Sequence, residues 1–184
     1  MIEIKVLQKL ALLDLQRIAT GYTTNRLYAV TYMENMDDVS LGLRAMPLDK
    51  PFVKEWVFDA ATLARYKAIL CAGYSFGAYE GDLLVGVAIA EAQEWNHSMW
   101  VWEFHVAEAY RQQGIGRQLM HAVEARAREA GFRVLVCETQ NKNSQGIDVY
   151  RQLGFHVEGI DISYYTNGDY PDGEVAVFMK KRLD

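Results

Sequence analysis

Six residues, Arg111-Gln112-Gln113-Gly114-Ile115-Gly116, constrain this chain most. They follow an alternating, strand-like run, Trp100 to Val106, and open a strongly patterned helix. A helix start leaves its first backbone N–H groups without intrahelical partners, and the helix dipole adds about half a positive charge there. An anion answers both needs. Gly114 and Gly116 carry no Cβ, so a diphosphate can come close to the main chain, while Arg111 adds a charged fork at the rim. Two familiar phosphate loops fit poorly. A nucleoside-triphosphate loop needs Lys-Ser/Thr after its last glycine, where this chain has Arg117-Gln118, and a dinucleotide fingerprint needs a third small residue where Leu119 stands.

Beyond the loop, Ile115, Leu119, Ala122, Val123 and Ala130 fall at helical spacing, Arg117, Glu124, Arg126, Arg128 and Glu129 take the other face, and Gly131 closes the helix. Phe132 to Cys137 is a nearly continuous apolar, β-branched run, the pattern of a strand buried on both faces. A polar bend is expected over Glu138-Thr139-Gln140-Asn141-Lys142-Asn143. Asn143 then predicts the N-cap of a short helix with Gly146, Val149, Tyr150 and Leu153 on one side, ended by Gly154 before a strand from Phe155 to Ser163.

The loop resembles the pyrophosphate loop of the GNAT superfamily of acyl-CoA-dependent N-acyltransferases, written Arg/Gln-x-x-Gly-x-Gly/Ala between a strand and a helix. Asn143, Tyr150, Gly154 and Phe155 match its second signature, Asn-x-x-Ala-x-x-x-Tyr-x-x-x-Gly-Phe, with Gly146 where alanine is usual. A finer likeness is to the streptothricin acetyltransferase branch, through Glu138-Thr139-Gln140-Asn141, the Trp95-Asn96 turn, the Pro51-Phe52 pair, and the tail Tyr165-Thr166-Asn167 leading to Glu174 through Phe178. The superfamily likeness covers Leu83 to Leu183.

Ahead of the loop, Val6 to Ala19 has helical periodicity, and Asp59 predicts a cap for a helix over Ala60 to Leu70. Leu27 to Tyr32 and Ser40 to Ala45 read as strands. Gly77 to Tyr79, a Gly81-Asp82 turn and Leu83 to Ala90 read as a hairpin, and Asn96-His97-Ser98 as a turn. Hairpins first and strand-helix-strand units later imply an α/β chain with a mixed sheet and helices on both faces. The resemblance implies the acyl-CoA N-acyltransferase fold, a mostly antiparallel central sheet splayed at the cofactor cleft. One domain over 1–184 is expected, with 1–70 a divergent substrate-side segment and 83–183 the acyl-CoA-binding core.

A hydrophobic content of 51% over 184 residues supports a substantial core. The net charge of −5, without a basic run, argues against nucleic acid and for tolerance of cationic substrates. No apolar stretch reaches membrane-spanning length, and Met1-Ile2-Glu3-Ile4-Lys5 lacks the build of a signal peptide, so no membrane partner and a cytoplasmic location are expected. Cys71 and Cys137 stand in apolar settings as small buried residues, and no metal-ligand spacing occurs.

From the resemblance, acetyl-CoA is the expected acyl donor. Arg111, Gln112, Gln113, Gly114, Ile115, Gly116 and Arg117 would hold its diphosphate, Phe104, His105 and Val106 would border its pantetheine arm, and Asn143 and Tyr150 would reach the same arm. Tyr150 matches the family's general acid, although an aromatic packed on a helix face would look the same from spacing alone. An amine with a pKa near 10.4 must lose a proton before it attacks, at a cost of roughly 4.6 kcal/mol at pH 7. Glu103, which interrupts a strand of Trp100, Val101, Trp102, Phe104 and Val106, is the leading base, with Glu138 second. His105 reads as a packed or surface strand histidine, His97 as a turn residue, and His121 and His156 as exposed. Trp95, Trp100 and Trp102 wall a pocket or pack a core. Asp161, Asp169, Asp172 and Glu174 either attract a polycation or solubilise a loop. The expected acceptor is a small cationic amine, with a peptide amine and a non-catalytic acyl-CoA sensor as alternatives; a homodimer is compatible with any of these.

Overall fold

The computed structural model describes residues 1–183. In chain order the elements are β1 (Ile2–Val6), α1 (Leu12–Ile18), β2 (Tyr22–Glu34), β3 (Val39–Lys54), α2 (Ala60–Leu70), β4 (Phe76–Glu80), β5 (Leu83–Gln93), β6 (Ser98–Val106), α3 (Ile115–Glu129), β7 (Val134–Gln140), α4 (Ser144–Gln152), β8 (His156–Asp161) and β9 (Ala176–Arg182). They fall into two compact units. Residues 1–21, 55–137 and from Lys181 on form the first, and residues 22–54 and 138–180 the second.

In the first unit the strand order is β1-β4-β5-β6-β7. Neighbours are antiparallel as far as β6, and β6 then pairs in parallel with β7, from Ser98 opposite Val134 to Val101 opposite Cys137. From Trp102 onward the strand partner of β6 is β5, whose register shifts between Ile89 and Ala90. On one face, Val87 and Ile89 of β5 join Leu15, Ile18, Tyr66 and Ile69 of α1 and α2 in the core. On the other lies α3. A Cβ on Gly86 would stand 3.1 Å from Leu119 Cδ1, so this glycine lets β5 and α3 approach closely.

Local chemistry sets the helix ends. Asp59 Oδ1 accepts from Thr62 N at 2.7 Å and starts α2 at the expected residue. In α3, Ile115, Leu119, Met120, Val123 and Ala127 are buried, and Gly131 follows at φ 79°. Ala130 is exposed rather than part of the buried stripe.

In the second unit β2 and β3 form a long antiparallel hairpin, from Tyr22 opposite Lys54 to Glu34 opposite Val39. It runs well past the expected strands on both sides. β9 lies between β7 and β8. Asn141 ties this unit together: its Nδ2 donates to Tyr28 O at 3.0 Å, its Oδ1 accepts from Val175 N at 2.9 Å, and its own carbonyl accepts from Tyr28 N at 2.9 Å. Buried polar groups must be satisfied in this way, and Asn141 is 6% exposed.

Three expectations are corrected. The helix expected from Val6 begins only at Leu12, because Ile2–Val6 is a strand paired with β4, and Leu7 and Leu10 are buried without being helical. The expected bend at Glu138 is still strand: β7 continues to Gln140, and its polar residues find partners inside the second unit. Cys71 is exposed, whereas Cys137 is buried as expected. Among the described residues no helix is long and apolar enough to cross a membrane.

Candidate active site

The loop between β6 and α3 is shaped for an anion. Gln112 and Gly114 both adopt positive φ, 62° and 78°, and Gly114 is the residue ahead of the helix. The first intrahelical bond is donated by Gln118 N to Gly114 O at 3.1 Å. The N–H groups of Ile115, Gly116 and Arg117 therefore precede the helical ladder. A Cβ built on Gly114 meets nothing within 4 Å, so its outer side is open. Gly116 is tighter, since a Cβ there would stand 3.2 Å from Phe104 Cζ and 3.9 Å from Val106 Cγ2. The Arg111 side chain folds back, its Nε donating to Val106 O at 3.1 Å, and Gln113 Nε2 donates to Ala109 O at 3.2 Å. Arg111, Gln112, Gln113 and Arg117 are exposed and Ile115 is a core residue. An open αL turn, unused helix N–H groups and exposed guanidinium groups fit a diphosphate.

β6 alternates around this loop. Phe104 and Val106 turn toward α3, whereas Glu103 and His105, opposite Ile89 and Val87, turn to the face that carries α2. There Glu103 holds two partners: the Tyr66 hydroxyl donates to Oε1, and His105 Nε2 lies 2.6 Å from Oε2. Burial, and then the adjacent Glu103 charge, push the Tyr66 phenol far above its ordinary pKa, so it stays a donor. Trp56 meets the His105 ring edge-on at 6.3 Å. Beside this group Trp100 and Trp102 pack at 5.0 Å, the Arg65 guanidinium lies 4.1 Å from the Trp102 ring centroid, and Trp102 Nε1 donates to Glu91 Oε2 at 2.7 Å. Trp95 joins neither a wall nor a core, because it is 84% exposed in the turn before β6.

The second unit holds the other expected residues. Asn143 caps α4, its Oδ1 accepting from Gly146 N at 3.0 Å while its Nδ2 donates to Thr139 Oγ1 at 3.0 Å. Tyr150 is buried, with its ring tilted on Phe155 at 5.5 Å. Glu138 accepts from the Tyr165 hydroxyl, to which Gln140 Nε2 also donates at 3.1 Å. Burial first, and the Glu138 charge second, raise the Tyr165 phenol and keep it a donor. Each carboxylate singled out from the sequence thus carries a tyrosine. Neither Tyr66 nor Tyr165 was singled out as a site residue, and their only sequence signal is an aromatic of no fixed spacing from its partner.

The structure brings Glu103 and His105 together with Tyr66, and gathers Arg111 to Arg117 around one helix start. It does not group the acidic residues near the carboxyl end as a free patch. Asp169 is buried and accepts from Tyr165 N, Thr166 N and Thr166 Oγ1, Glu174 pairs with Lys54, and Asp161 accepts from Ser163 N. Asp161 and Asp169 organise their own loop, and Glu174 reaches the end of β3. Among the described residues no group of three or more His, Cys, Asp or Glu is placed to hold a metal.

Comparison with known proteins gives this geometry a context. The sequence model of the Acetyltransferase (GNAT) family matches residues 43–155, beginning well ahead of Leu83 and stopping at Phe155. Streptothricin acetyltransferase A of Bacillus subtilis (strain 168) is 32% identical over 85 residues, 46% of this chain and 48% of that protein, so the chain matches about half the length of this curated relative. The crystal structure of nourseothricin acetyltransferase superposes with a TM-score of 0.76 at 28% identity, covering 100% of this chain and 99% of the other. A Bacillus anthracis str. Ames structure in complex with acetyl coenzyme A superposes with a TM-score of 0.73 at 19% identity, over 99% of each chain, a likeness of fold.

Proposed function

The chain belongs to the acetyltransferase (GNAT) family, and from that premise we propose that it transfers an acetyl group from acetyl-CoA to a primary amine of a small cationic molecule of the streptothricin type. The observation that carries this reading is the open turn at the start of α3, where positive φ at Gln112 and Gly114 leaves the N–H groups of Ile115, Gly116 and Arg117 ahead of the helical ladder. The end-to-end superposition on nourseothricin acetyltransferase supports the choice of amine.

In this reading Arg111, Gln112, Gln113, Gly114, Ile115, Gly116 and Arg117 hold the diphosphate, and Phe104, His105 and Val106 border the pantetheine arm with Asn143. Acetyl-CoA, when bound, supplies an activated acyl group as a thioester. The group built on Glu103, with Tyr66 and His105 bonded to its carboxylate, draws off the amine proton, worth roughly 4.6 kcal/mol at neutral pH. Tyr150 protonates the departing thiolate. Transfer is direct from thioester to amine, without a covalent enzyme intermediate. Glu138, held by Tyr165, is the second carboxylate available for the amine.

The test is a panel of cationic amines, neutral amines and peptides incubated with acetyl-CoA, with release of CoA thiol as the readout. Streptothricin-like amines should turn over fastest. Preference for peptides would redirect the substrate, and binding of acetyl-CoA without turnover of any acceptor would overturn the enzymatic reading in favour of a sensor.

A further inference from the structure

The Glu103 carboxylate holds a partner on each oxygen, on the face of β6 that looks toward α2. Oε1 accepts from Tyr66, whose hydroxyl remains protonated, and Oε2 faces His105 Nε2 at 2.6 Å. An ionised carboxylate can only accept, so at this distance Nε2 must carry the hydrogen. The neutral imidazole is then the Nε2–H tautomer, and its lone pair is on Nδ1. His105 makes a single hydrogen bond among the described residues, through Nε2, so Nδ1 stands unbonded. The imidazole is 19% exposed, beside the edge of Trp56, one residue before the carbonyl of Val106 on which Arg111 rests.

We propose that His105 Nδ1 is the group that accepts the proton of the attacking ammonium, with Glu103 and Tyr66 as positioning residues; this rests on the acetyl-transfer reading above. Each Glu103 oxygen already carries a hydrogen-bond partner, whereas the Nδ1 lone pair carries none. Imidazole also matches the task better, its ordinary pKa near 6.5 lying about two units above that of a glutamate, so the proton meets a stronger base. The ammonium N–H bond breaks and its proton moves to Nδ1, forming an imidazolium whose Nε2–H stays on the Glu103 carboxylate. The freed nitrogen pair forms the C–N bond to the acetyl carbonyl carbon, and the C–S bond breaks with its electron pair on sulfur. The thiolate takes a second proton from the same nitrogen, through Tyr150, and the imidazolium returns its proton to solvent. Sequence alone hides this role, because His105 alternates with Phe104 and Val106 as any strand residue would.

The first test uses the protein without substrate. Long-range ¹H–¹⁵N correlation on histidine-labelled protein should show neutral His105 with hydrogen on Nε2 and none on Nδ1. Glu103 bonds the ring, and Tyr66 of α2 bonds the same carboxylate. Glu103→Gln should therefore release the fixed tautomer, so that hydrogen appears on Nδ1, and lower kcat with it. His105→Gln, and His105→Asn if the first folds poorly, should lose about 10²-fold in kcat, and added imidazole should restore part of the rate to His105→Gly. Hydrogen on Nδ1, or a folded, active His105→Gln with wild-type kcat, overturns this inference alone. Acetyl-CoA binding without turnover of any amine overturns the acetyl-transfer reading and this one with it.

Discussion

Replacing Gly146 by alanine should destabilise the protein, although alanine is the better helix former. Gly146 is the third residue of α4, and the three atoms nearest a Cβ built there all belong to Asn143, with Cγ at 2.8 Å, Oδ1 at 2.9 Å and Nδ2 closer still. The methyl group can be housed only by moving the cap. That forfeits the bond from Gly146 N, about 1 kcal/mol for an N-cap. It also forfeits the bond to the buried Thr139 hydroxyl, about 1 kcal/mol more. Against this, alanine near a helix end returns about 0.5 kcal/mol of propensity. Gly146→Ala should therefore cost about 1.5 kcal/mol and Asn143→Ala about 2 kcal/mol. In the Asn143→Ala background these close contacts are removed, so the same change should stabilise by about 0.5 kcal/mol, a coupling near 2 kcal/mol. Urea denaturation of the four proteins, followed by tryptophan fluorescence and far-ultraviolet circular dichroism, measures the cycle. Stabilisation by Gly146→Ala in the wild-type background, or coupling within 0.5 kcal/mol of zero, would refute the argument that the glycine exists to seat the cap.

Three further outcomes are expected. Gly116→Glu should abolish acetyl-CoA binding in calorimetric titration while the protein stays folded, because it sets a carboxylate against the diphosphate; unchanged affinity would move the phosphates elsewhere. Tyr150→Phe should lower kcat about 10²-fold with little change in acetyl-CoA affinity, and a fully active variant would leave Tyr150 as a packing residue. Burial pushes the Glu124 carboxyl up, but hydrogen bonds and charge from Lys181, at 2.6 Å, and Arg128, at 3.0 Å, outweigh it and hold the group below the usual range. Its contribution is thus complete above the unfolded pKa near 4.3 and is lost as pH falls through the lower folded value. Glu124→Gln should cost about 1 kcal/mol at pH 7 and nothing at pH 2, and a deficit persisting at pH 2 would contradict this.

How far the sequence could be read depended on whether a residue's partners are near in the chain. α2, α3 and α4 carry their caps and stripes within a few positions, and Asp59, Gly114 and Asn143 mark their starts correctly. The end of β7 was misjudged because Thr139, Gln140 and Asn141 look like a solvated bend until Asn143, Tyr165 and Tyr28 bond them in place. The start of α1 is hidden because Leu7 and Leu10 keep helical spacing, while the partner that makes Ile2–Val6 a strand, β4, lies some seventy residues on. In the candidate site the diphosphate loop is local and was legible. The tyrosines on Glu103 and Glu138 come from 37 and 27 positions away, and nothing in their spacing announces them.

The position of β9 has a consequence for how the protein is made. It lies between β7 and β8, yet it is synthesised after both. As the chain emerges at roughly 5–20 residues per second, β7 and β8 must wait for seconds with the place between them empty. Closing it too early, by pairing β7 directly with β8, would yield a compact but wrong sheet that β9 could only enter by prising it open. The loop that Asp169 gathers, between β8 and β9, is synthesised in that interval, and a tightly bonded turn there would hold the chain reversed so that β9 arrives already aligned with its slot.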